Sequence, residues 1–368
     1  MKKIAIIGAS YLQLPLINKA KEMGFETHVF AWSSGDVGED VADFFYPISI
    51  REKEKILEVC RSIGIDGIIS IASDLAMVTV NYIAEELGLV GNSLSSTLIT
   101  TNKYEMRRVF LNNGDPIPKF VEANGLHSCS LEGLRFPVIV KPTDRSGSRG
   151  VTKVYDEKDL EDALGKAMDE SFEKRAIIEE FIVGKEYSVE GLSYKGKHTI
   201  LAHTEKFTTG EPHFVETGHM EPASIDDETK QHIDDVVCKA LTSLKIEYGA
   251  SHSEIKIDEA GHIKIVEIGA RMGGDMIGSD LVRYSTGIDY LKAVIQIACG
   301  EKPDLTPDSI KCAAEIRFIL SREDLDEFRR MQRYESQRIL KIIDDSHMEL
   351  INKTTDSSNR AGCYIVKV

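Results

Sequence analysis

Apolar and polar positions along residues 1–90 predict strands and helices in alternation. The apolar runs Ile4–Gly8, Thr27–Phe30 and Ile68–Ala72 have the length of buried parallel strands. The segment Glu54–Ile63 carries apolar residues at helical spacing, and a glycine follows it, as at a helix C-terminus. The pattern therefore predicts an open, mostly parallel α/β sheet.

The pattern changes after this first stretch. A helix is predicted over residues 96–113, and Asp115-Pro116-Ile117-Pro118 then interrupts regular structure, which indicates a domain boundary. Further along, the chain has the pattern of strands and hairpins, including Ser253–Ile257 paired with His262–Ile268. Residues 301–368 predict short strands and a charged helix but carry no recognisable motif.

Composition adds three constraints. The 368 residues include 45 Lys and Arg and 60 Asp and Glu, a net charge of −15, which disfavours a nucleic-acid backbone as partner. No apolar run approaches the ~18 residues of a membrane span. Six scattered cysteines form no C-x-x-C pair or zinc-type cluster, which favours a cytoplasmic protein with reduced thiols. The length favours two or three domains.

The turn after the first strand bears on one class of function. It reads Gly8-Ala9-Ser10-Tyr11-Leu12-Gln13. A dinucleotide-binding fold needs G-x-G-x-x-G here, because its glycines let the backbone approach the pyrophosphate. Since only the first glycine is present, the turn predicts a structural Rossmann-like domain and disfavours an NAD-dependent oxidoreductase.

A loop rich in glycine and serine follows the predicted strand that ends near Lys141. Its residues Ser146, Ser148 and Gly150, with neighbouring arginines, offer amide N–H groups, hydroxyls and positive charge to an oxyanion. The loop lacks the G-x-x-x-x-G-K-[ST] spacing of a P-loop. A flexible surface loop is the alternative interpretation.

The predicted hairpin carries two candidate metal ligands. If residues 258–261 form its loop, Glu254 faces Ile265, and Glu267 lies diagonally across on the same face at ~7–8 Å. Two carboxylates at this spacing suit magnesium, which prefers carboxylate, water and phosphate oxygens. Exposed sheet residues are the alternative, although an unpaired carboxylate in the apolar run around Glu267 would be unfavourable if buried.

A cationic and glycine-rich segment follows this hairpin. Arg271 offers a planar fork that matches carboxylate or phosphoryl oxygens. Gly273 and Gly274 expose backbone N–H groups close to it in the sequence. A turn with a surface arginine is the alternative interpretation.

The order and spacing of these features resemble the ATP-grasp superfamily of ADP-forming carboxylate–amine ligases, over residues 1 to about 300. The resemblance implies an α/β and α+β protein with three parts. These are a Rossmann-like N-terminal domain at 1–112, a mobile central lid at 113–186, and a C-terminal catalytic domain with a mixed or antiparallel sheet and the tail at 187–368. ATP and Mg²⁺ are the implied cofactors.

The resemblance also implies roles for individual residues. Residues 101–106 match the helix that opens the family's ATP-binding domain. The implied nucleotide-binding residues are two phosphate-contacting lysines, a lid loop, an adenine-binding hinge and a ribose-binding acid: Lys103, Lys141, Ser146, Ser148, Gly150, Glu180, Ile182 and Glu186. Glu254 and Glu267 match the magnesium ligands, and Arg271 matches the catalytic arginine.

Residues 216–222 and 269–275 narrow the resemblance to the L-amino-acid ligase branch. By this resemblance Glu216 receives an α-ammonium group and Arg271 contacts the carboxylate or acyl phosphate. The implied substrate-side residues are Glu216, His219, Arg271, Gly273 and Gly274, with the two glycine amides stabilising an oxyanion. Many family members carry Glu-x-Asn-x-Arg, whereas this chain has Gly269 in place of the metal-binding Asn.

The implied function is an ATP-dependent, ADP-forming ligase that makes an amide through an acyl phosphate, with amino acids as small-molecule substrates. One alternative is a ligase for another acid, of the purine-pathway, carbamoyl-phosphate-synthase-like or D-alanine type. Another is a nucleotide-binding regulator without turnover. A homodimer is the default expectation for the oligomeric state.

Overall fold

The structure is a computed structural model that describes residues 1–123, 131–211, 215–309, 311–344 and 360–368. These residues form three β-sheets, called here the N-terminal, central and C-terminal sheets, with helices packed against them. Within the described ranges, no helix is both long enough and apolar enough to cross a membrane.

The N-terminal sheet is parallel and has the strand order β3-β2-β1-β4. In chain order its elements are β1 (Lys3–Ile7), α1 (Leu14–Glu22), β2 (Glu26–Phe30), α2 (Val37–Val41), β3 (Phe44–Tyr46), α3 (Lys53–Ile63), β4 (Gly67–Ile69) and α4 (Asp74–Leu87). This confirms the predicted open parallel sheet. In its first turn, Gln13 Oε1 accepts hydrogen bonds from the Ser10 amide and hydroxyl, so a side chain fills the turn.

Two helices, not one, connect the N-terminal and central sheets. They are α5 (Leu94–Thr101) and α6 (Lys103–Asn113), so the prediction of a continuous helix over 96–113 was wrong. Asn102 is extended, at φ −115° and ψ 113°, and its side chain accepts from the amides of Tyr104 and Glu105. A residue that caps the second helix therefore ends the first.

The central sheet has the strand order β5-β8-β6-β7, and all its described pairs are antiparallel. Its elements are β5 (Phe120–Ala123), β6 (Val138–Pro142), β7 (Thr152–Val154), α7 (Leu160–Glu170) and β8 (Ala176–Glu180), with a short helical turn at Glu157–Asp159. Val138, Val140 and Ile178 pack with the buried face of α7 in one small core. This sheet supplies Lys141 and Glu180 to the region between the central and C-terminal sheets.

The C-terminal sheet is antiparallel, with the order β13-β12-β9-β10-β11-β14-β16-β15. Its strands are β9 (Lys185–Tyr194), β10 (Lys197–Thr208), β11 (Glu216–Glu221), β12 (Tyr248–Ile257), β13 (Ile263–Gly269), β14 (Ala314–Ile319), β15 (Ile339–Asp344) and β16 (Gly362–Lys367). The helices of this part are α8 (Asp227–Ser243), α9 (Val282–Thr286), α10 (Tyr290–Ala298) and α11 (Arg322–Tyr334), with short helical turns at Ile277–Leu281 and Ser336–Arg338. The strands and helix predicted for the tail are thereby confirmed.

Helices on both faces bury this sheet. Ile233 and Val237 of α8 share a core with Val189 and Ile255 of the strands. On the other face, α10 lies in a second core together with α1 of the N-terminal part. The N-terminal and C-terminal parts are therefore packed together through α10, while the boundaries expected at 112/113 and 186/187 stay predictions.

Candidate active site

Two adjoining cavities lie where the three sheets meet. The first, of about 220 Å³, lies between the central and C-terminal sheets. The second, of about 430 Å³, lies between the N-terminal and C-terminal sheets. They share wall residues that include Arg145, Lys206, Glu216, Glu254 and Arg271. Ligands in the two cavities would therefore meet at this shared wall.

Most of the sequence-predicted site residues line these cavities. The first cavity is lined by Lys103, Lys141, Ser146, Ser148, Glu180, Ile182, Glu186, Glu216, Glu254, Glu267 and Arg271. His219 and Gly274 line the second cavity. Gly150 and Gly273 are absent from both sets of lining residues, and their surroundings give the reason.

Glu254 and Glu267 lie directly opposite each other on β12 and β13. The expected diagonal arrangement, with Glu254 facing Ile265, was wrong, because Ile265 pairs with Ile255 and a bulge between Glu254 and Ile255 shifts the register. Directly paired residues lie on the same face of a sheet. The correction therefore brings the two carboxylates closer together than the sequence predicted.

Each of these carboxylates has a lysine partner. Lys103 Nζ lies 2.7 Å from Glu267 Oε1, and Lys206 Nζ lies 2.7 Å from Glu254 Oε1. Burial would raise the pKa of Glu254, but the charges of Lys206 and His252 hold it well below its usual value. Glu254 is thus an anionic group, and both carboxylates lie beside a lysine ammonium group.

The donor set fits a divalent cation that also contacts a nucleotide. Among the described residues, no group of three or more His, Cys, Asp or Glu side chains is arranged to hold a metal ion by itself. Magnesium is commonly held by one or two carboxylates plus phosphate oxygens and water. Glu254 and Glu267 supply the two carboxylates, and the adjoining lysines suit the phosphates.

Lys206 is a site residue that the sequence analysis missed. It lies on β10 with its side chain only 5% exposed, and its Nζ is 3.0 Å from Glu186 Oε1 and 3.8 Å from Glu216 Oε1 as well as next to Glu254. Burial would lower the pKa of Lys206, but the three carboxylates raise it well above its usual value. No motif at this position of the sequence pointed to it.

Lys141 is oriented by a buried ion-pair network. Its Nζ lies 2.7 Å from Glu179 Oε2, and Arg107 Nε lies 2.6 Å from Glu179 Oε1. Arg107 also donates to the Val266 carbonyl at 2.6 Å. Burial lowers the pKa of Lys141, and Glu179 opposes this shift. The network connects α6, the central sheet and β13 behind the first cavity.

The hinge and the lid loop also line this cavity. The amides of Glu180 and Phe181 donate to the carbonyls of Lys119 and Pro137 at 2.9 and 3.0 Å, which fixes the hinge. In the loop, Gly147, Ser148 and Gly150 have φ of +71°, +56° and +68°. A Cβ at position 150 would lie 3.1 Å from side-chain atoms of Pro142 and Glu170. That glycine therefore serves the packing of the loop against the central sheet.

Arg271 and Gly274 line the cavities, whereas the Gly273 amide points into the protein interior. Arg271 Nε and Nη2 donate to the two carboxylate oxygens of Asp74 at 2.9 and 3.1 Å. The Gly273 amide donates to Glu190 Oε2 at 3.0 Å. The expectation that this amide faces a substrate was wrong, because it satisfies a buried carboxylate. Gly274 does line the second cavity.

Glu190 also holds a buried histidine. His252 Nδ1 forms a short hydrogen bond with Glu190 Oε1, and His252 Nε2 lies 3.4 Å from Glu254 Oε1. Burial lowers the pKa of His252, but the two glutamates raise it to about 9. His252 thereby links the interior carboxylate to a candidate metal ligand.

Glu216 and His219 belong to a charged cluster in the second cavity. Arg360 donates from Nη2 to Glu216 Oε2 at 2.9 Å and from Nη1 to Asp275 Oδ2 at 2.8 Å. His219 Nε2 lies 3.6 Å from the same Asp275 oxygen, and Arg360 stacks on Phe318 at 3.7 Å. Arg360 comes from the tail, where no sequence motif pointed to it.

Part of the chain is similar to a known protein family. Residues 134–280 match the family described as "ATP-grasp domain". The chain therefore contains an ATP-grasp domain and has the ATP-grasp fold, as the sequence predicted.

The chain is also similar to individual proteins over most of its length. The chain is 27% identical over 312 residues to alanine–anticapsin ligase of Bacillus subtilis (strain 168), covering 75% of this chain and 65% of that protein. The chain thus spans slightly less than two thirds of that relative's length. It is also similar to the crystal structure of L-amino acid ligase from Bacillus licheniformis, with a TM-score of 0.84 and 25% identity over 100% of this chain and 93% of the other. Phosphoribosylglycinamide synthetase from Anaerococcus prevotii shares the fold, with a TM-score of 0.76 and 22% identity over 100% and 94%.

Proposed function

We propose that the protein is an ATP-dependent, ADP-forming carboxylate–amine ligase acting on amino acids. The observation that carries the proposal is the meeting of two cavities at Lys206, Glu254 and Arg271. One cavity has the carboxylate pair and lysines suited to a metal nucleotide. The other has polar and charged groups suited to amino-acid substrates. The printed names of the relatives from the two Bacillus species support the same reaction class.

In the first step, a substrate carboxylate oxygen attacks the γ-phosphorus of ATP. The bond to the β,γ-bridging oxygen breaks, which releases ADP and leaves an acyl phosphate. Such transfer depends on positioning and charge neutralisation more than on covalent participation of the protein. Lys103, Lys141 and Lys206 offset phosphate charge, and a magnesium ion held by Glu254 and Glu267 would add to this neutralisation.

In the second step, the amine nitrogen of the other substrate attacks the acyl carbon. The carbon–oxygen bond to phosphate breaks, phosphate leaves, and the nitrogen loses a proton to give the amide. Arg271 and the Gly274 amide stabilise the oxyanion that forms on the way. Glu216 and His219 hold the amine substrate, with Glu216 already paired to Arg360.

An acyl phosphate must be kept from water until the amine arrives. The loop at 146–150 lies at both cavities, and we propose that it closes with the central sheet as a lid. The cysteines Cys60, Cys238, Cys299 and Cys312, which lie in the described part of the chain, are free thiols. They agree with the proposed place of the enzyme in the reducing cytoplasm.

Product analysis tests this function. The purified protein with ATP, Mg²⁺ and pooled amino acids is expected to form ADP, phosphate and a dipeptide detected by mass spectrometry. Glu267→Gln should lower ADP formation by about 100-fold or more, since a metal ion contributes several kcal/mol to charge stabilisation. Glu259→Gln, an exposed loop residue of the same hairpin, is the matched control and should match wild type. Activity with a different acid and none with amino acids would contradict the proposed substrates.

A further inference from the structure

Asp74 contacts the candidate catalytic arginine from a distant part of the chain. It is the first residue of α4 in the N-terminal part, 197 positions before Arg271. The two side chains form a bidentate pair at 2.9 and 3.1 Å and are only 14% and 15% exposed. A two-point pair of this kind fixes the plane of the guanidinium as well as its position.

The turn that carries Asp74 is built against the same segment. The Ala72 amide donates to the Met272 carbonyl at 3.2 Å. Ala72 has φ of +59°, a conformation that alanine rarely adopts. Ser73 then caps α4 by accepting from the Ala76 amide. The strained alanine and the cap together hold the first carboxylate of the helix over Arg271.

Gly269 leaves the space that this carboxylate occupies. A Cβ at position 269 would lie 2.7 Å from Asp74 Oδ1 and 3.1 Å from Arg271 Nε. Gly269 is not among the residues with positive φ, so space and not backbone conformation requires a glycine here. This chain departs from the family's Glu-x-Asn-x-Arg pattern at Gly269. That departure leaves room for the Asp74–Arg271 pair, so the two features depend on each other.

We infer that Asp74 is a positioning residue for Arg271, and the inference rests on the proposed function. The Asp74 carboxylate accepts hydrogen bonds from Nε and Nη2 of the Arg271 guanidinium. The Met272 carbonyl takes one N–H of Nη1 at 3.3 Å. Arg271 lines both cavities, and its remaining N–H groups on Nη1 and Nη2 are held toward the carboxylate that reacts. The N-terminal part thereby sets the geometry of the chemical step.

Steady-state kinetics of three variants test this role. Asp74→Asn should lower kcat by about 100-fold while KM for ATP stays within about 2-fold, because a misaligned group costs turnover more than nucleotide binding. Asp74→Glu should restore part of kcat. Asp43→Asn is the control, since Asp43 pairs with Lys21 at 2.6 Å elsewhere in the N-terminal part, and its kcat should equal that of wild type.

Gly269→Asn gives the sharpest test, because it restores the family's pattern. The new side chain would displace Asp74, so kcat should fall by about as much as in Asp74→Asn. The double variant should be no worse than either single variant, since both disrupt one pair. Wild-type kcat in Asp74→Asn, or a kcat in Gly269→Asn at or above wild type, would overturn the inference.

A double-mutant cycle separates this inference from the proposed function. Asp74→Asn and Arg271→Gln should show coupling in thermal unfolding, which needs no turnover. Absence of coupling would overturn the role of Asp74 even in an active ligase. A protein that makes no amino-acid amide but shows this coupling, and a kcat effect on its actual acid substrate, would contradict the proposed function only.

Discussion

At the residue scale, the ammonium group of Lys206 is surrounded by three carboxylates. Lys206 lies within 3.8 Å of Glu186, Glu216 and Glu254, and Lys103 balances Glu267. Buried carboxylates need such compensation, because an isolated buried charge is very unfavourable. The lysines therefore stabilise the same acidic groups that would hold a metal ion and a ribose.

Among the residues that the structure describes, Glu221 has no cationic partner of this kind, and this gives a pH-dependent prediction. Thr204 donates to it at 2.7 Å and Ser285 also donates to it, yet burial raises its pKa to about 8. In an unfolded chain the pKa of a glutamate is about 4.3. The folded protein therefore holds one more proton between these values, and its stability falls as pH rises through that window.

The substitution Glu221→Gln should remove this pH-dependent contribution to the free energy of unfolding. Its stability should change with pH less steeply than that of wild type, by about 1.4 kcal/mol per pH unit between pH 5 and pH 8. Urea unfolding at a series of pH values measures the difference, and Glu259→Gln serves as the exposed control. Parallel stability profiles for wild type and Glu221→Gln would show that Glu221 is ionised in the folded protein.

The candidate site residues that could be predicted from the sequence are those whose motif lies within a short stretch of the chain. Glu254, Glu267 and Arg271 all lie within or next to one hairpin. Asp74 and Arg360 could not be found in this way, because each reaches the site through tertiary packing across more than 80 positions. Gly273 was misassigned for a related reason: the carboxylate that accepts from its amide belongs to Glu190 on β9, which is distant in the sequence.

At the scale of elements, strand and helix identity followed from periodicity, whereas register did not. The hairpin β12–β13 was predicted, but the bulge after Glu254 was not. A bulge adds one residue to one strand without changing the apolar pattern much. The split between α5 and α6 at Asn102 is similar, since a capping residue inside an amphipathic pattern is easily read as part of one helix.

A contact between the N-terminal and central parts gives a prediction at this scale. Phe172 follows α7 and is stacked between Arg51 and Arg145, each 4.4 Å from its ring centroid. Asp144 of the lid loop accepts from the Phe172 and Glu173 amides at 3.3 and 2.9 Å. We expect this stack to hold the lid loop closed over the reaction.

Phe172→Ala should loosen that closure and admit water to the acyl phosphate. The ratio of phosphate released to amide formed should rise above one, while ATP binding changes little. Tyr334→Ala is the matched control, because it removes an exposed ring near Arg333, 5.3 Å away, on α11. An unchanged ratio in Phe172→Ala would argue against a closing role for the stack.

At the scale of the whole molecule, the tail completes the C-terminal sheet. Strands β14, β16 and β15 extend the sheet beyond β11, and the residues just before β16 bring Arg360 to Glu216 and Asp275. The sequence predicted β14 and β16 but not β15, and it did not predict their partners, since strand order in an antiparallel sheet depends on long-range pairing. The fold class was predictable because local patterns of parallel and antiparallel strands differ.

In the proposed reaction, a substrate carboxylate is activated by the γ-phosphate of ATP. An amino-acid substrate labelled with ¹⁸O in its carboxylate tests this most directly, with phosphate and nucleotide products analysed by ³¹P NMR and mass spectrometry. We predict ADP as the nucleotide product and one ¹⁸O atom in each released phosphate, transferred when the amine displaces the acyl phosphate. Unlabelled phosphate, or AMP with pyrophosphate, would contradict the account.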